Sequence, residues 1–252
     1  MLDLYPPLVE LSEAALKSPH IVFVCEHASN KIPEQFNGLG IDEAAQQSHI
    51  AWDPGALGVA RALKNKFSGD LVAGSVSRLL YDCNRPPESP TSIPPVSEIF
   101  KVPGNEHLTQ AQRLARVEGI YDPFCKAMTQ TLSRHKNGIL VTIHSFTPVY
   151  HGVSRSCEIG LLHDTDTRLT DAMLTAVAPT ASFKVERNVP YSMHDGVTHT
   201  LKLHAIPRGW LNVMIEIRND LIKTKDEQEK MADFIAAMLA PAIQDVKENS
   251  NV

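Results

Sequence analysis

The chain has 252 residues, of which 43% are hydrophobic, and a net charge of −5 at pH 7. This hydrophobic fraction is sufficient for a substantial core. No apolar run approaches the ~18 residues of a membrane helix, the first residues lack a secretory signal pattern, and Lys and Arg are scattered. The sequence therefore argues against membrane, secreted and nucleic-acid-binding proteins, and predicts a cytoplasmic protein whose four cysteines are free thiols.

Apolar runs alternate with amphipathic segments along the whole chain. We expect helices at residues 8–17, 42–50, 55–67, 109–136, 166–177 and 225–246, with a break in the fourth near Gly119 and Pro123. We expect strands at residues 21–25, 71–76, 79–84, 139–143, 157–162, 183–185 and 210–217. This order predicts an α/β fold with a mostly parallel or mixed sheet flanked by helices. The chain contains no repeat and no linker, so we predict one domain, residues 1–252.

The segment from Arg85 to Gly104 is rich in proline and cannot form a regular element. Long loops inside compact domains are usually functional or mobile. Two interpretations remain open, a surface excursion and the rim of an active site.

Three predicted strands end in or next to residues that bind metals or move protons, namely His27, His144 and Glu216. Because the carboxyl ends of parallel strands meet at one edge of a sheet, we expect these side chains to lie together. A catalytic zinc takes three protein ligands, commonly two histidines and one carboxylate, and a further carboxylate takes the proton of the attacking water. A single histidine at a strand end is often only hydrogen-bonded, but two at equivalent ends favour a metal site.

Two carboxylates compete for the place of third ligand. Asp53 is equally suited to cap the helix that begins near Gly55, and Glu26, adjacent to His27 on an extended chain, should point away from it. We therefore predict His27, Asp53 and His144 as ligands of Zn²⁺ or another divalent ion, with Glu26 as the alternative. His20, His107 and His135 are predicted to be surface residues, and the remaining histidines, including His49, are predicted to support the site or the fold.

Cationic and polar residues near the predicted strand ends suggest a site for an acidic substrate. The planar fork of arginine matches a carboxylate, although any one of these arginines could instead form a surface salt bridge. Thr198, which carries a hydroxyl, follows the predicted turn at Gly196. The predicted substrate-binding residues are Arg78, Asn84, Arg85, Thr198 and Arg218.

An ordered set of short motifs from about residue 20 to residue 222 resembles the N-formylglutamate amidohydrolase family. The motifs are Glu26-His27-Ala28-Ser29-Asn30, Trp52-Asp53-Pro54-Gly55-Ala56, Ser77-Arg78, Asp82-Cys83-Asn84-Arg85-Pro86, Ile143-His144-Ser145, Gly196-Val197-Thr198 and Glu216-Ile217-Arg218-Asn219. The resemblance implies a fold similar to that of zinc carboxypeptidases. It also implies hydrolysis of N-formyl-L-glutamate to formate and glutamate, as in histidine degradation.

By this resemblance, His27 and His144 look like metal ligands, Glu216 like the general base, and Arg78, Asn84 and Arg85 like the group that holds substrate carboxylates. The sequence departs from zinc carboxypeptidases at Asn30, where they have a glutamate. The expected partner is a small N-acyl amino acid. The alternatives are a zinc peptidase or peptidoglycan-type amidase, which needs a long open groove, and a non-catalytic binding module.

Overall fold

The computed structural model describes residues 4–13, 19–177 and 182–249. Its strands are β1 (Leu8–Glu10), β2 (His20–Cys25), β3 (Asp70–Ala73), β4 (Val96–Ser97), β5 (Phe100–Lys101), β6 (Gly138–Phe146), β7 (Val149–Tyr150), β8 (Val153–Ser154), β9 (Ile159–Leu162), β10 (Val185–Arg187) and β11 (Leu211–Arg218). Its α-helices are α1 (Glu43–Gln47), α2 (Ala56–Phe67), α3 (Gln110–Arg116), α4 (Asp122–Leu132), α5 (Arg168–Ala176) and α6 (Lys225–Asn249).

Seven strands form a central sheet in the order β1-β3-β2-β6-β11-β9-β10. Strands β3, β2, β6 and β11 are parallel to one another, whereas β1 and β9 run antiparallel to their neighbours β3 and β11. Strands β4–β5 and β7–β8 form two separate hairpins. The predicted α/β architecture with a mixed sheet flanked by helices is confirmed.

Both faces of the sheet are covered, which explains why its inner strands are continuously apolar in sequence. On β2, Ile21, Phe23 and Cys25 pack on the face covered by α2, α5 and α6. Val22 and Val24 pack on the opposite face, with α4 and the turns that follow β3. The alternation of side chains along β2 therefore divides the core between the two faces.

Two predicted elements are wrong. Leu8–Glu10 is strand β1 rather than the start of a helix, and residues 14–18 of that predicted helix lie outside the described residues. Residues 79–84 form turns rather than a strand. The reason is local, because the Asp82 carboxylate accepts a hydrogen bond of 2.9 Å from the backbone N–H of Asn84, which favours a turn. The predicted break near Gly119 is confirmed as a π-helical turn between α3 and α4.

The prediction of His20 and His135 as surface residues is also wrong. Both side chains are buried against Asp70 at the amino-terminal edge of the sheet, with Nε2 atoms 3.2 and 3.0 Å from its Oδ2. The two rings stack with centroids 3.8 Å apart and planes inclined by 15°. The residue types and their spacing are compatible with a metal site, and the two rings lie in nearly parallel planes.

Because His20 is buried, we expect the protein to lose stability in mild acid. Burial and the neighbouring His135 lower the pKa of His20 in the folded protein, so the unfolded chain binds more protons below pH ~6.5. The contribution is fully present above pH ~6.5 and is lost as the pH falls through the folded pKa. We expect the free energy of unfolding in urea to be lower at pH 5.5 than at pH 7.5 because of His20. The difference in the free energy of unfolding between the two pH values should be smaller in His20→Gln and unchanged in a variant of the exposed His194. Equal differences in the two variants would contradict the assignment of this effect to His20.

Candidate active site

Neighbouring strands bring the predicted site residues to the carboxyl edge of the sheet. Strand β6 runs past its predicted end, so His144 lies within it, directly opposite Glu216 on β11. Paired residues on neighbouring strands point to the same face. Strand β2 ends at Cys25, and Glu26 and His27 follow in a turn beside the same part of β6.

His27, Asp53 and His144 converge on one point and are named here the three-residue cluster. The Oδ2 atom of Asp53 lies 3.2 Å from Nδ1 of His27 and 2.9 Å from Nδ1 of His144, and the two Nδ1 atoms are 3.2 Å apart. All three side chains are buried. Unlike the stacked pair at the other edge, these rings meet edge to face at 70°. Ligands bound to one zinc ion at ~2.0–2.2 Å stand about 3.3 Å apart, so this spacing suits a metal.

The turn that carries Asp53 orients its carboxylate toward the histidines rather than toward helix α2. The backbone N–H of Asp53 donates to the carbonyl of His27 at 2.9 Å. The N-cap of α2 is Gly55, which lacks a side-chain cap and has a φ of 83°. A β-carbon on Gly55 would lie 2.3 Å from the carbonyl oxygen of Ile222, so the close turn requires glycine. The alternative interpretation of Asp53 as a helix cap is therefore excluded.

A carboxylate contacts the second nitrogen of each histidine. Nε2 of His27 lies 2.7 Å from Oδ1 of Asp82, and Nε2 of His144 lies 3.1 Å from Oε2 of Glu26. The expectation that Glu26 points away from the site is wrong, because the chain turns at this residue instead of remaining extended. The hydrogen bond of Asp82 and the close approach of Glu26 favour a proton on each Nε2 atom, which leaves both Nδ1 lone pairs directed at the centre of the cluster.

The site brings three buried carboxylates together with two imidazoles and one guanidinium. Glu26, Asp53 and Asp82 are buried together, and Arg78 is the cation that pairs with two of them. Burial opposes ionisation, but the surrounding cations hold the pKa of Asp82 below its usual range. Burial also opposes protonation of His144, yet Glu26 and Asp53 raise its pKa well above the usual value. The cluster thus attracts positive charge, which a divalent cation would supply.

Glu216 lies beside the three-residue cluster without a hydrogen-bond partner for its Oε2 atom among the described residues. Its side chain is buried, and burial is the main reason why its pKa is raised to about 7. It lines a small inner cavity of about 30 Å³ together with all three cluster residues. One water molecule occupies ~30 Å³ in the liquid, so a water fits between the cluster and an available carboxylate.

Two of the predicted substrate-binding arginines border this cavity. Arg78 donates to Oδ1 of Asp53 at 3.1 Å and to Oδ2 of Asp82 at 3.4 Å. Nη1 of Arg85 donates to the carbonyl of Asn84 at 2.9 Å and Nε donates to the hydroxyl of Thr91 at 3.2 Å, while no carboxylate of the described residues forms an ion pair with this guanidinium. Arg85 therefore has a guanidinium available for an anion.

Asn84 also borders the cavity, but both ends of its amide are engaged by backbone. Its Nδ2 donates to the carbonyl of Val197 at 2.5 Å, and its Oδ1 accepts from the N–H of Thr200 at 3.0 Å. The side chain holds the 197–200 segment in place. These contacts leave it less free to bind a substrate.

The structure does not bring Thr198 and Arg218 into the cavity. The hydroxyl of Thr198 is buried and donates to Oδ2 of Asp164 at 2.6 Å. The guanidinium of Arg218 contacts Asp220 at 2.8 Å and Glu158 at 3.4 Å, so it does not pair with Glu216. Both side chains stabilise the surroundings of the site.

An outer cleft of about 240 Å³ adjoins the inner cavity. The two share four lining residues, which are His49, Arg78, Arg85 and Tyr191. The proline-rich segment supplies much of the wall, through Thr91, Pro94, Val96, Ser97 and Glu98. This segment is therefore the rim of the site and not an unrelated surface loop.

Sequence reasoning did not assign roles in the site to Tyr150 and Tyr191, and it predicted only that His49 supports the site or the fold. No spacing pattern identifies the two tyrosines, because hairpin β7–β8 and the loop after β10 bring them to the cleft. His49 follows helix α1, and its Nδ1 lies 3.5 Å from Oδ1 of Asp53. Burial is the main cause that lowers its pKa to about 4, so the ring is uncharged at neutral pH.

Comparison with known proteins agrees with the geometry of the site. The family model of N-formylglutamate amidohydrolase matches residues 19–223. The chain belongs to the N-formylglutamate amidohydrolase family. Membership of this amidohydrolase family makes the protein an enzyme that acts on amide bonds. No curated protein matches the chain.

Two solved structures are similar to this member of the N-formylglutamate amidohydrolase family. The gene product Atu2144 from Agrobacterium tumefaciens is 49% identical, with a TM-score of 0.92 and 96% of each chain covered. The N-formylglutamate amidohydrolase from Ralstonia eutropha JMP134 is 18% identical, with a TM-score of 0.62, and the alignment covers 99% of this chain and 100% of that one. The second likeness concerns the fold alone. Among the described residues, no helix has the length and apolarity needed to span a membrane.

Proposed function

We propose that the protein is a metal-dependent amidohydrolase that converts N-formyl-L-glutamate to formate and L-glutamate. The observation that carries this proposal is the convergence of His27, Asp53 and His144 beside the unpartnered carboxylate of Glu216. Family membership supports the reaction class.

The three-residue cluster fits Zn²⁺ or a similar divalent ion. Two imidazole nitrogens and one carboxylate oxygen form a common ligand set of catalytic zinc. The buried carboxylates raise the pKa of His144, which supports the binding of positive charge there. When bound, such an ion polarises the carbonyl of the substrate and lowers the pKa of water. Asp82 and Glu26 hold the two imidazoles in the orientation that ligation needs.

Glu216 is proposed as the general base. Its carboxylate faces the inner cavity, and a pKa of about 7 lets it take a proton from water near neutral pH and return it to the leaving nitrogen. A bound cation would lower this pKa and keep the carboxylate ionised.

Arg85 is proposed to bind a carboxylate of the substrate, since its guanidinium forms no ion pair among the described residues. Arg78 is proposed to act closer to the reacting carbonyl, because two carboxylates hold it at the cluster. The size of the outer cleft, about 240 Å³, is below the ~300 Å³ at which pockets for drug-sized ligands begin. A small N-acyl amino acid therefore fits better than a peptide or a peptidoglycan strand.

Formate release tests this proposal directly. We expect the purified protein to release formate from N-formyl-L-glutamate, to lose the activity on chelation and to recover it when Zn²⁺ is added. N-acetyl-L-glutamate and a dipeptide serve as comparison substrates. Chelation-sensitive hydrolysis of the dipeptide alone would favour a peptidase, and the absence of both metal and turnover would favour a binding module.

A further inference from the structure

We propose that Arg155, together with Tyr150 and Tyr191, selects substrates whose amino-acid side chain ends in a carboxylate. This inference rests on the proposed function and adds the residues that decide which amino acid is accepted. Tyr150 lines the outer cleft, and Tyr191 lines both the cleft and the inner cavity. Arg155 directly follows hairpin β7–β8 and contacts both rings.

The guanidinium of Arg155 is surrounded by aromatic rings. Its Cζ atom lies 4.4 Å from the ring centroid of Tyr150, 5.1 Å from that of Tyr191 and 5.5 Å from that of Phe146. In the described part of the chain, no carboxylate forms an ion pair with it, and its Nη1 donates a long hydrogen bond of 3.4 Å to the carbonyl of Thr147. Because a guanidinium carries five N–H donors, Arg155 keeps donors and a positive charge for an anion.

The backbone around Arg155 is fixed by residues that line neither cavity. Nη1 of Arg218 donates to the carbonyl of Arg155 at 3.3 Å, and the N–H of Arg155 donates to the carbonyl of Pro148 at 2.8 Å. Arg218 is itself paired with Glu158 and Asp220. The side chain of Arg155 therefore starts from a fixed point beside the wall of the cleft, and binding of a substrate requires little reordering of this segment.

Arg155 adds positive charge behind the wall that the two tyrosines form. Burial is the main cause that raises the pKa of Tyr191 to about 12, and the charge of Arg155 acts in the opposite direction. The hydroxyl of Tyr191 is therefore protonated at neutral pH and is a donor for an anion. The residues that line the outer cleft also include the carboxylates of Asp82 and Glu98. The charge of Arg155 offsets them, which favours a substrate with two carboxylates.

The chemistry of the substrate assigns its two carboxylates to different arginines. In N-formyl-L-glutamate, the α-carboxylate is attached to the carbon next to the scissile amide, so it lies close to the inner cavity. Arg85 borders both cavities and suits this group. The side-chain carboxylate lies farther from the amide, beyond two methylene groups. It therefore extends into the outer cleft, toward Tyr150 and Arg155.

The test compares two substrates of similar shape that differ in charge. N-formyl-L-glutamine has a neutral amide in place of the side-chain carboxylate of N-formyl-L-glutamate. The wild type should prefer the glutamate compound by more than about tenfold in kcat/KM. We expect Arg155→Met to lower kcat/KM for the glutamate compound by ~10–100-fold, chiefly through KM, and for the glutamine compound by less than about threefold. Arg155→Lys keeps the charge and should restore part of the loss.

Two further variants complete the experiment. Arg61→Met is the matched control, because Arg61 pairs with Glu10 and lines neither cavity, and it should keep the wild-type preference. Tyr150→Phe keeps the ring beside Arg155 and removes the hydroxyl from the outer cleft. It should lower the preference for the glutamate compound by about three- to tenfold. Metal content and thermal unfolding are measured on the same samples.

The outcomes separate this inference from the proposed function. An equal loss on both substrates in Arg155→Met would overturn the inference, because it points to a structural role. An unchanged preference in that variant, or a wild type without a preference, would also overturn it and leave the hydrolytic activity in place. If Arg155→Met does not fold, an unchanged preference in Tyr150→Phe would overturn it instead. Wild-type protein that hydrolyses neither compound would overturn the proposed function and this inference with it.

Discussion

Glu216→Gln should lower kcat by roughly two to four orders of magnitude, with metal content unchanged. The substitution keeps the shape of the side chain and removes the basic oxygen that faces the inner cavity. It does not touch the three-residue cluster, so binding of the metal should persist. Steady-state formate release and metal analysis on the same preparation measure both effects.

The pH profile separates the loss of a base from a loss of packing. In the wild type, the ionised form of Glu216 is the active form, so kcat/KM should fall as the pH decreases through about 7, or through a lower value when a cation is bound. The residual activity of Glu216→Gln should lack this dependence. Glu186→Gln, on strand β10 outside both cavities, is the control and should retain wild-type turnover. A Glu216→Gln variant with full activity would remove this residue from the mechanism.

Removal of one histidine of the three-residue cluster should abolish metal binding and lower turnover by more than about three orders of magnitude. His144→Ala leaves two ligands for the ion and removes the contact that compensates the buried charge of Glu26. Metal stoichiometry after dialysis and formate release at saturating substrate measure the outcome.

A second variant tests metal binding in case His144→Ala does not fold. Asp82→Asn keeps all three ligands and weakens the contact at Nε2 of His27, together with the ion pair between Asp82 and Arg78. Metal affinity should fall by roughly 10–100-fold, and activity should recover at high metal concentration. Stoichiometric metal in a folded His144→Ala protein would show that the ion binds elsewhere.

The elements that the sequence predicts correctly are those with a strong local signal. Five apolar or small residues before Glu26 and the run that leads to His144 mark buried strands, and the order of strands and helices indicates the mixed sheet. These features depend on hydrophobic patterning, which is visible in a single chain.

The features that the sequence does not reveal depend on turns and on contacts between distant residues. Leu79 to Tyr81 are buried as the hydrophobic pattern suggests, but they lie in turns, because apolar character indicates burial and does not define backbone conformation. The contact of Asp82 with His27 joins residues 55 positions apart. The burial of His135 against Asp70 spans 65 positions. Only the folded chain shows such pairs.

The wall of the outer cleft and the reactive groups come from different parts of the chain. The reactive side chains project from the central sheet and from the turns around Asp53 and Asp82. Much of the wall comes from the proline-rich segment, with Tyr150 from hairpin β7–β8, and neither pairs with a described strand of that sheet. Exchange of these wall segments between relatives should therefore change which amino-acid part of the substrate is accepted while the hydrolytic machinery stays intact. In evolutionary terms, the fold lets specificity diverge by loop replacement at little cost to catalysis.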